Sequence, residues 1–175
     1  MKVIGFSGKA RHGKTTAAQL IKPLLEEKGL KAEIIPLAKR MKEQAKMLGW
    51  DGSKDERGRR LLQEISWPVK HYFGIDIYAK WCYEQAVEQN LDVLLIDDVR
   101  MMAEIDYFNS LANKGEIESF DLVRIERPGF VSDLNAQALA DVSETELDTY
   151  SFDYVIVNDG TLDELKEKLV KELAL

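Results

Sequence analysis

Cysteine is almost missing: Cys82 is the single one in 175 residues. That excludes a disulfide framework and a cysteine-built metal site, and it makes a reducing, cytoplasmic setting the expectation. Basic residues are in the minority, with 24 Lys and Arg against 31 Asp and Glu and a net charge of −7. Such a balance argues against a general binder of nucleic acid or of an anionic membrane. No apolar run is long enough to span a bilayer. A strand-like run already starts at residue 2, so no signal peptide is expected. Repeats, low-complexity tracts and linkers are not apparent, and one domain covering 1–175 is the natural division. The guanine-specifying pattern Asn-Lys-x-Asp is absent, which speaks against a GTPase switch. One more absence is local: Gly129–Tyr150 contains no Lys or Arg.

What is present begins with Gly8-Lys9-Ala10-Arg11-His12-Gly13-Lys14-Thr15, a full match to G-x-x-x-x-G-K-[ST]. Lys2-Val3-Ile4-Gly5-Phe6 before it reads as a strand. After it, Ala17, Leu20, Ile21, Leu24 and Leu25 recur at helical spacing as far as Gly29. A strand and a helix flanking such a loop are the context of a phosphate site. Glycines let backbone wrap an oxyanion, and amide N–H groups at a helix N-terminus face the phosphates. Gly8, Lys9, Ala10, Arg11, His12, Gly13, Lys14, Thr15 and Thr16 are therefore the expected nucleotide cradle. Lys14 would reach the β- and γ-phosphates of ATP, and the Thr15 hydroxyl would ligate Mg²⁺.

Further on, Ala32–Leu37 reads as a second strand and Ala38, Met41, Ala45 and Leu48 as a helix. The charged run Lys54–Arg60 then leads into a helix through Leu61, Leu62 and Ile65. Arg59 and Arg60 are either a solvated helix end or a clamp for a second phosphate-bearing molecule. A helix over Asp76–Asn90 places Tyr78, Trp81 and Cys82 in the core, and packing is also the expectation for Trp50 and Trp67. Leu91–Asp97 is a near-continuous apolar run, as in a parallel strand covered on both faces. It ends in Asp97-Asp98-Val99-Arg100. Asp97 is the expected metal-side carboxylate beside Thr15, with Asp98 and Arg100 facing the acceptor. A helix from Met102 to Ala112, a strand over Leu122–Glu126 and a last strand over Tyr154–Val157 follow. Thr161 and Glu164 form a capping box for a final helix whose core face is Leu162, Leu165, Leu169 and Leu173. Asn158 and Gly160, at a strand C-terminal end, are candidates to flank the nucleotide base. The alternation predicts a three-layer α/β P-loop NTPase fold with a five-stranded, mainly parallel sheet. A lid is expected over about 128–150 and an acceptor-binding helical region over about 38–90.

Several blocks, in order along nearly the whole chain, resemble the phage-type deoxynucleoside monophosphate kinases. They are residues 8–16, Leu-Ala-Lys-Arg-Met-Lys (37–42), Lys-Asp-Glu-Arg-Gly-Arg-Arg-Leu-Leu-Gln (54–63) and Asp-Asp-Val-Arg (97–100). Arg-Ile-Glu-Arg-Pro-Gly (124–129), Ser-Glu-Thr-Glu-Leu (143–147) and Phe-Asp-Tyr-Val-Ile-Val-Asn-Asp-Gly-Thr-Leu (152–162) complete the set. The resemblance implies Mg²⁺- and ATP-dependent phosphorylation of a deoxynucleoside monophosphate. It carries an acceptor role onto Asp98, Arg100, Arg59 and Arg60. Lys14 and Arg11 would neutralise the transferring phosphoryl group, and Arg100 and Arg127 would hold the acceptor phosphate or transition state, with Arg124 in reach. Two positions depart from the pattern. Asp141 stands where relatives often carry His, and Ala38-Lys39-Arg40-Met41-Lys42 where they often read Ala-Asp-Pro-Leu-Lys. A dephospho-coenzyme A kinase and a non-catalytic nucleotide-binding regulator remain alternatives. Base, sugar and oligomeric state stay open, a homodimer being one candidate.

Overall fold

The computed structural model describes residues 1–53, 55–131 and 140–175. Five strands form one parallel sheet: β1 (Lys2–Ser7), β2 (Ala32–Ile34), β3 (Val93–Ile96), β4 (Ser119–Glu126) and β5 (Tyr154–Val157), in the order β2-β3-β1-β4-β5. β1 is central, pairing Lys2 with Val93 on one side and with Ser119 on the other. Alternation along the strands divides the core. Val3, Leu94, Ile96 and Leu122 pack against α4 (Ile77–Glu88) and α5 (Met102–Asn113). Ile4, Phe6, Val93, Leu95, Val123, Ile125 and Ile156 pack against α1 (Lys14–Glu27) and the final helix, Leu162–Leu173. β3, Val-Leu-Leu-Ile, is buried on both faces and carries no polar residue, whereas β4, Ser-Phe-Asp-Leu-Val-Arg-Ile-Glu, keeps its polar residues at partly exposed positions.

Parallel pairing carries every strand's C-terminal end to one edge, where the P-loop leaves β1 and Asp97 leaves β3. The expected strand at 32–37 closes early. Ile35 N–H still donates to Leu95 O at 2.9 Å, but Pro36 has no N–H and its carbonyl accepts from Lys39 in a turn instead. β4 is longer than expected, from Ser119, because β1 pairs with it along its full length.

Beyond the sheet, α2 (Lys39–Met47) packs on α3 (Glu56–Phe73). Asp55 caps α3 by accepting from Gly58 N–H at 2.7 Å. Trp50 donates from its indole N–H to Ser53 O at 3.2 Å, so it closes this turn. Trp67 does not pack inside. It is 70% exposed and stacks on His71 with centroids 5.3 Å apart. Leu162 is likewise exposed, since the first residue of its helix lies past the sheet edge, while Leu165, Leu169 and Leu173 are buried. A short helix that the weak sequence pattern does not predict, α6 (Val142–Thr145), precedes β5, and the final helix is α7. Of the lid expected over 128–150, residues 132–139 lie outside the described residues. Among the described residues no helix is long and apolar enough to cross a membrane.

Candidate active site

The P-loop is shaped by its neighbours as much as by its own residues. Gly8 has φ 134°, and a Cβ there would lie 2.3 Å from Ile125 O. Gly13 has φ 107°, and a Cβ there would meet the Asn158 amide at 2.6 Å. Only glycine fits either position. Asn158 donates from Nδ2 to His12 O at 2.9 Å, and its own N–H donates to Glu126 O at 2.7 Å. It thus props the loop from β5. Gly160 lies elsewhere, in a surface depression with Asp159, Glu164, Lys168 and Lys171. His12 Nδ1 accepts from Arg127 N–H at 3.2 Å, and burial pushes the imidazole pKa down. Arg127 lays its guanidinium over Phe130, 5.0 Å from the ring centre. Arg11 is exposed with φ 62°, at the outer tip of the loop.

Lys14 is buried and folds back on its own loop, donating to Gly8 O at 2.7 Å and Lys9 O at 2.9 Å. Burial and, after it, the Arg100 charge lower its pKa to about 8. The Thr15 hydroxyl donates to Asp97 Oδ2 at 2.5 Å. Asp97 Oδ1 is buried and has no hydrogen-bond partner among the described residues. A hydroxyl and an orphaned carboxylate oxygen side by side are hard oxygen donors, so the pair fits Mg²⁺. Among the described residues no cluster of three or more His, Cys, Asp or Glu could hold a metal ion. Two protein ligands agree with Mg²⁺, which ordinarily keeps waters and substrate phosphates as its remaining ligands.

Asp98 spends both carboxylate oxygens on backbone, accepting from Leu37 N–H at 2.7 Å and Ala38 N–H at 3.1 Å. It pins the start of α2 to the end of β3. Burial first, then the Asp97 charge, raise its pKa. Glu104, which the sequence did not single out, has a similar task. Its Oε2 accepts from Arg100 N–H at 2.8 Å and Met101 N–H at 3.0 Å, and burial pushes its pKa up to about 7. Arg100 is thereby held over the P-loop by a buried side chain one turn into α5.

Facing this edge is the segment around α6. Its acidic residues all act as acceptors. Asp141 caps α6 through Ser143 N–H at 2.9 Å and takes a bond from Gln63 of α3 at 3.1 Å. Glu144 accepts from Ala10 N–H at 3.0 Å and forms an ion pair with Arg100, whose guanidinium also donates to Ser143 O at 3.2 Å. Glu146 accepts from Met102 N–H at 2.8 Å. Asp148 pairs with Lys9 at 2.5 Å and Arg124 at 3.3 Å, and Arg124 also donates to Leu147 O at 3.2 Å. Arg100 and Arg124 therefore converge on the P-loop from β3 and β4. Arg59 and Arg60 do not join them. Both are exposed on α3, and Arg60 pairs with Glu64 along its own helix at 2.8 Å. Arg59 does share a helix face with Gln63, one turn from Asp141. Ser143, Glu144 and Asp148 carried no predicted role. The only sequence signal was the Ser-Glu-Thr-Glu-Leu block itself.

This parallel sheet, with a P-loop after its central strand and an acidic residue after the neighbouring one, is the α/β fold of P-loop kinases. The solved structures it resembles include APS kinases. The Mycobacterium tuberculosis enzyme in complex with AMPPNP and APS aligns at TM-score 0.54 and 16% identity, over 99% of this chain and 98% of that one. A mutant of that enzyme aligns at TM-score 0.51 and 16% identity, over 99% and 97%. The hexameric APS kinase of Thiobacillus denitrificans aligns at TM-score 0.53 and 10% identity, over 99% of this chain but 28% of that one. No protein-family model matches the chain, and no curated protein matches it.

Proposed function

We propose that this chain is an ATP-dependent phosphotransferase acting on a small phosphate-bearing acceptor, and that the acceptor is a deoxynucleoside monophosphate. The observation that carries the reading is the donor set. Thr15 and Asp97 are in hydrogen-bond contact with one carboxylate oxygen left over, and buried Lys14 lies beside them. Thr15 and Asp97 would hold Mg²⁺, which when bound neutralises charge on β- and γ-phosphate oxygens. Lys14 would release its two backbone carbonyls and donate to the γ-phosphoryl oxygens. Arg100 and Arg124, on the opposite wall, would bind the acceptor phosphate and the charge that develops between the two. A phosphate oxygen is already a nucleophile, so no general base is required, and catalysis is positioning plus electrostatics. The deoxynucleotide acceptor rests on the ordered sequence blocks. α2 to α4 would supply its binding region, with Arg59 one helical turn from Gln63, the α3 residue that bonds to Asp141.

The test is ADP formation from Mg·ATP with each deoxynucleoside and ribonucleoside monophosphate. Dephospho-coenzyme A and APS belong in the panel, the latter because a protein of similar fold binds it. Turnover with one or two deoxynucleotides is the expected result. Turnover with APS or dephospho-coenzyme A alone would replace the acceptor while leaving the phosphotransferase. Flat traces from a protein that binds ATP would support the regulator.

A further inference from the structure

The acceptor wall of the cleft is filled by the protein's own acid. The Glu144 side chain is 7% exposed, although it belongs to a four-residue helix at the surface. One carboxylate oxygen accepts from Ala10 N–H in the P-loop, and the other pairs with Arg100. A P-loop amide and an arginine guanidinium are the donors that ordinarily take a phosphoryl oxygen. Between the P-loop and this segment about 10 Å³ remains, room for a single water at most. The contacts that hold the segment there are largely ionic: Lys9 and Arg124 on Asp148, and Lys9 on the Glu144 carbonyl. Leu147 supplies a buried apolar anchor.

Charge accounts for why an acid sits in this place. Lys14, Arg100, Lys9 and Arg124 gather at the mouth of the cleft, and the Arg100 charge acts against the Lys14 ammonium while Glu144 acts in its favour. Without an anion between them the cations would repel one another in a partly desolvated site. A bound phosphate would serve the same purpose with more charge.

We propose that Glu144 is an internal competitor for the phosphate site: its carboxylate occupies the oxyanion position formed by Ala10 N–H and Arg100, and a phosphate-bearing ligand must displace it to bind. The proposal rests on the phosphate-site reading above and adds a regulation to it. Affinity is set by a difference between two anions for the same donors, and the segment carrying Glu144 moves off the P-loop when ligand enters. Segment 141–148 thus contributes acid to the cleft instead of the arginines a lid would bring.

Calorimetric titration of the full chain with Mg·ATP, and separately with pyrophosphate, tests this. Glu144→Gln keeps the shape and removes the charge. It should bind both ligands roughly three- to tenfold tighter than the wild type. Asp141→Ala removes the cap of the short helix and leaves Glu144 intact, and it should shift affinity in the same direction by less. In the wild type, amides of 142–148 should exchange faster with solvent deuterium once Mg·ATP is bound. Equal or weaker binding by Glu144→Gln, in a variant with the wild-type circular dichroism spectrum, overturns the proposal and makes Glu144 a ligand of the substrate or a structural residue. Lys14→Ala separates the two levels. If wild type binds and Lys14→Ala does not, the phosphate site stands whatever Glu144 does. If neither the wild type nor Glu144→Gln binds nucleotide, the phosphate-site reading fails and this inference fails with it.

Discussion

The two walls of the cleft are built by different means. On one side, the loop from Gly8 to Thr15 is held by bonds from adjoining strands, with Asn158 on His12 O, and by two glycines that no other residue can replace without a clash. On the other side, residues 141–148 are held by charge pairs to Lys9, Arg100 and Arg124, up to 139 positions away in sequence. Packed backbone geometry survives changes of salt and ligand, whereas partly exposed ion pairs can be exchanged for others at small cost. The difference suits a site whose donor wall stays in place while its acceptor wall gives way.

Losing Lys14 should be the sharpest break. Lys14→Ala removes the ammonium that would face the transferring group, and turnover should fall by roughly 10³-fold or more with the fold intact. A steady-state assay beside a thermal melt checks both halves. Retained turnover would mean that the two walls do not form a phosphoryl-transfer site. Arg100→Ala should act mainly on the facing wall, lowering kcat/KM for the acceptor by roughly 10- to 100-fold, while the KM for ATP changes less because the lost donor and the loosened Glu144 act in opposite directions. A loss confined to ATP would show that Arg100 belongs to the donor side.

The Lys14 ammonium also supplies a test by pH. Its pKa is lowered to about 8 because burial and Arg100 disfavour its charge. A bound polyphosphate would favour that charge and raise the pKa again, so binding above about pH 8 must take up a proton. Mg·ATP affinity should therefore be flat below that pH and fall by up to about tenfold per pH unit above it. An affinity that holds steady as pH rises past that point would mean Lys14 stays charged in the free protein, against its buried position.

How much of this was legible beforehand follows from the same contrast. The sheet, the P-loop between β1 and α1, and the acidic end of β3 were readable, because periodicity and a motif are local and both report backbone that neighbouring chain determines. Residues 141–148 were not. Val142–Thr145 is too short for a helical period, and the lack of Lys and Arg over 129–150 points by itself to no role. It acquires meaning only when Lys9, Arg100 and Arg124 arrive from three other strands' ends. Trp67 marks a similar limit, since nothing local says that its face of α3 remains uncovered. Asp98 and Glu104 illustrate another: a carboxylate beside a site reads as chemistry until its backbone partners are known.

Glu104 offers the smallest and most specific test, because it joins the walls without touching either ligand. It holds the backbone of Arg100 and Met101, and burial sets its pKa at about 7 against an ordinary 4.5, with Asp98 adding to the rise and Lys70 opposing it. An acid whose folded pKa is raised is at no disadvantage while both states keep the proton, below about pH 4.5. As pH rises toward about 7 the unfolded chain ionises freely and the folded one does not, so stability declines across that window and levels off above it. The full penalty is on the order of 3 kcal/mol, or roughly 6 to 12 °C in melting temperature for a chain of this size. Glu104→Gln still presents an oxygen to both N–H groups and cannot ionise. The variant and the wild type should melt together near pH 4.5, and the variant should gain steadily on the wild type up to about pH 7. Parallel melting curves across that range would mean that Glu104 is ionised in the fold throughout. The loop carrying Arg100 would then be held by a full charge, and the acceptor wall would be stiffer than its ion pairs suggest.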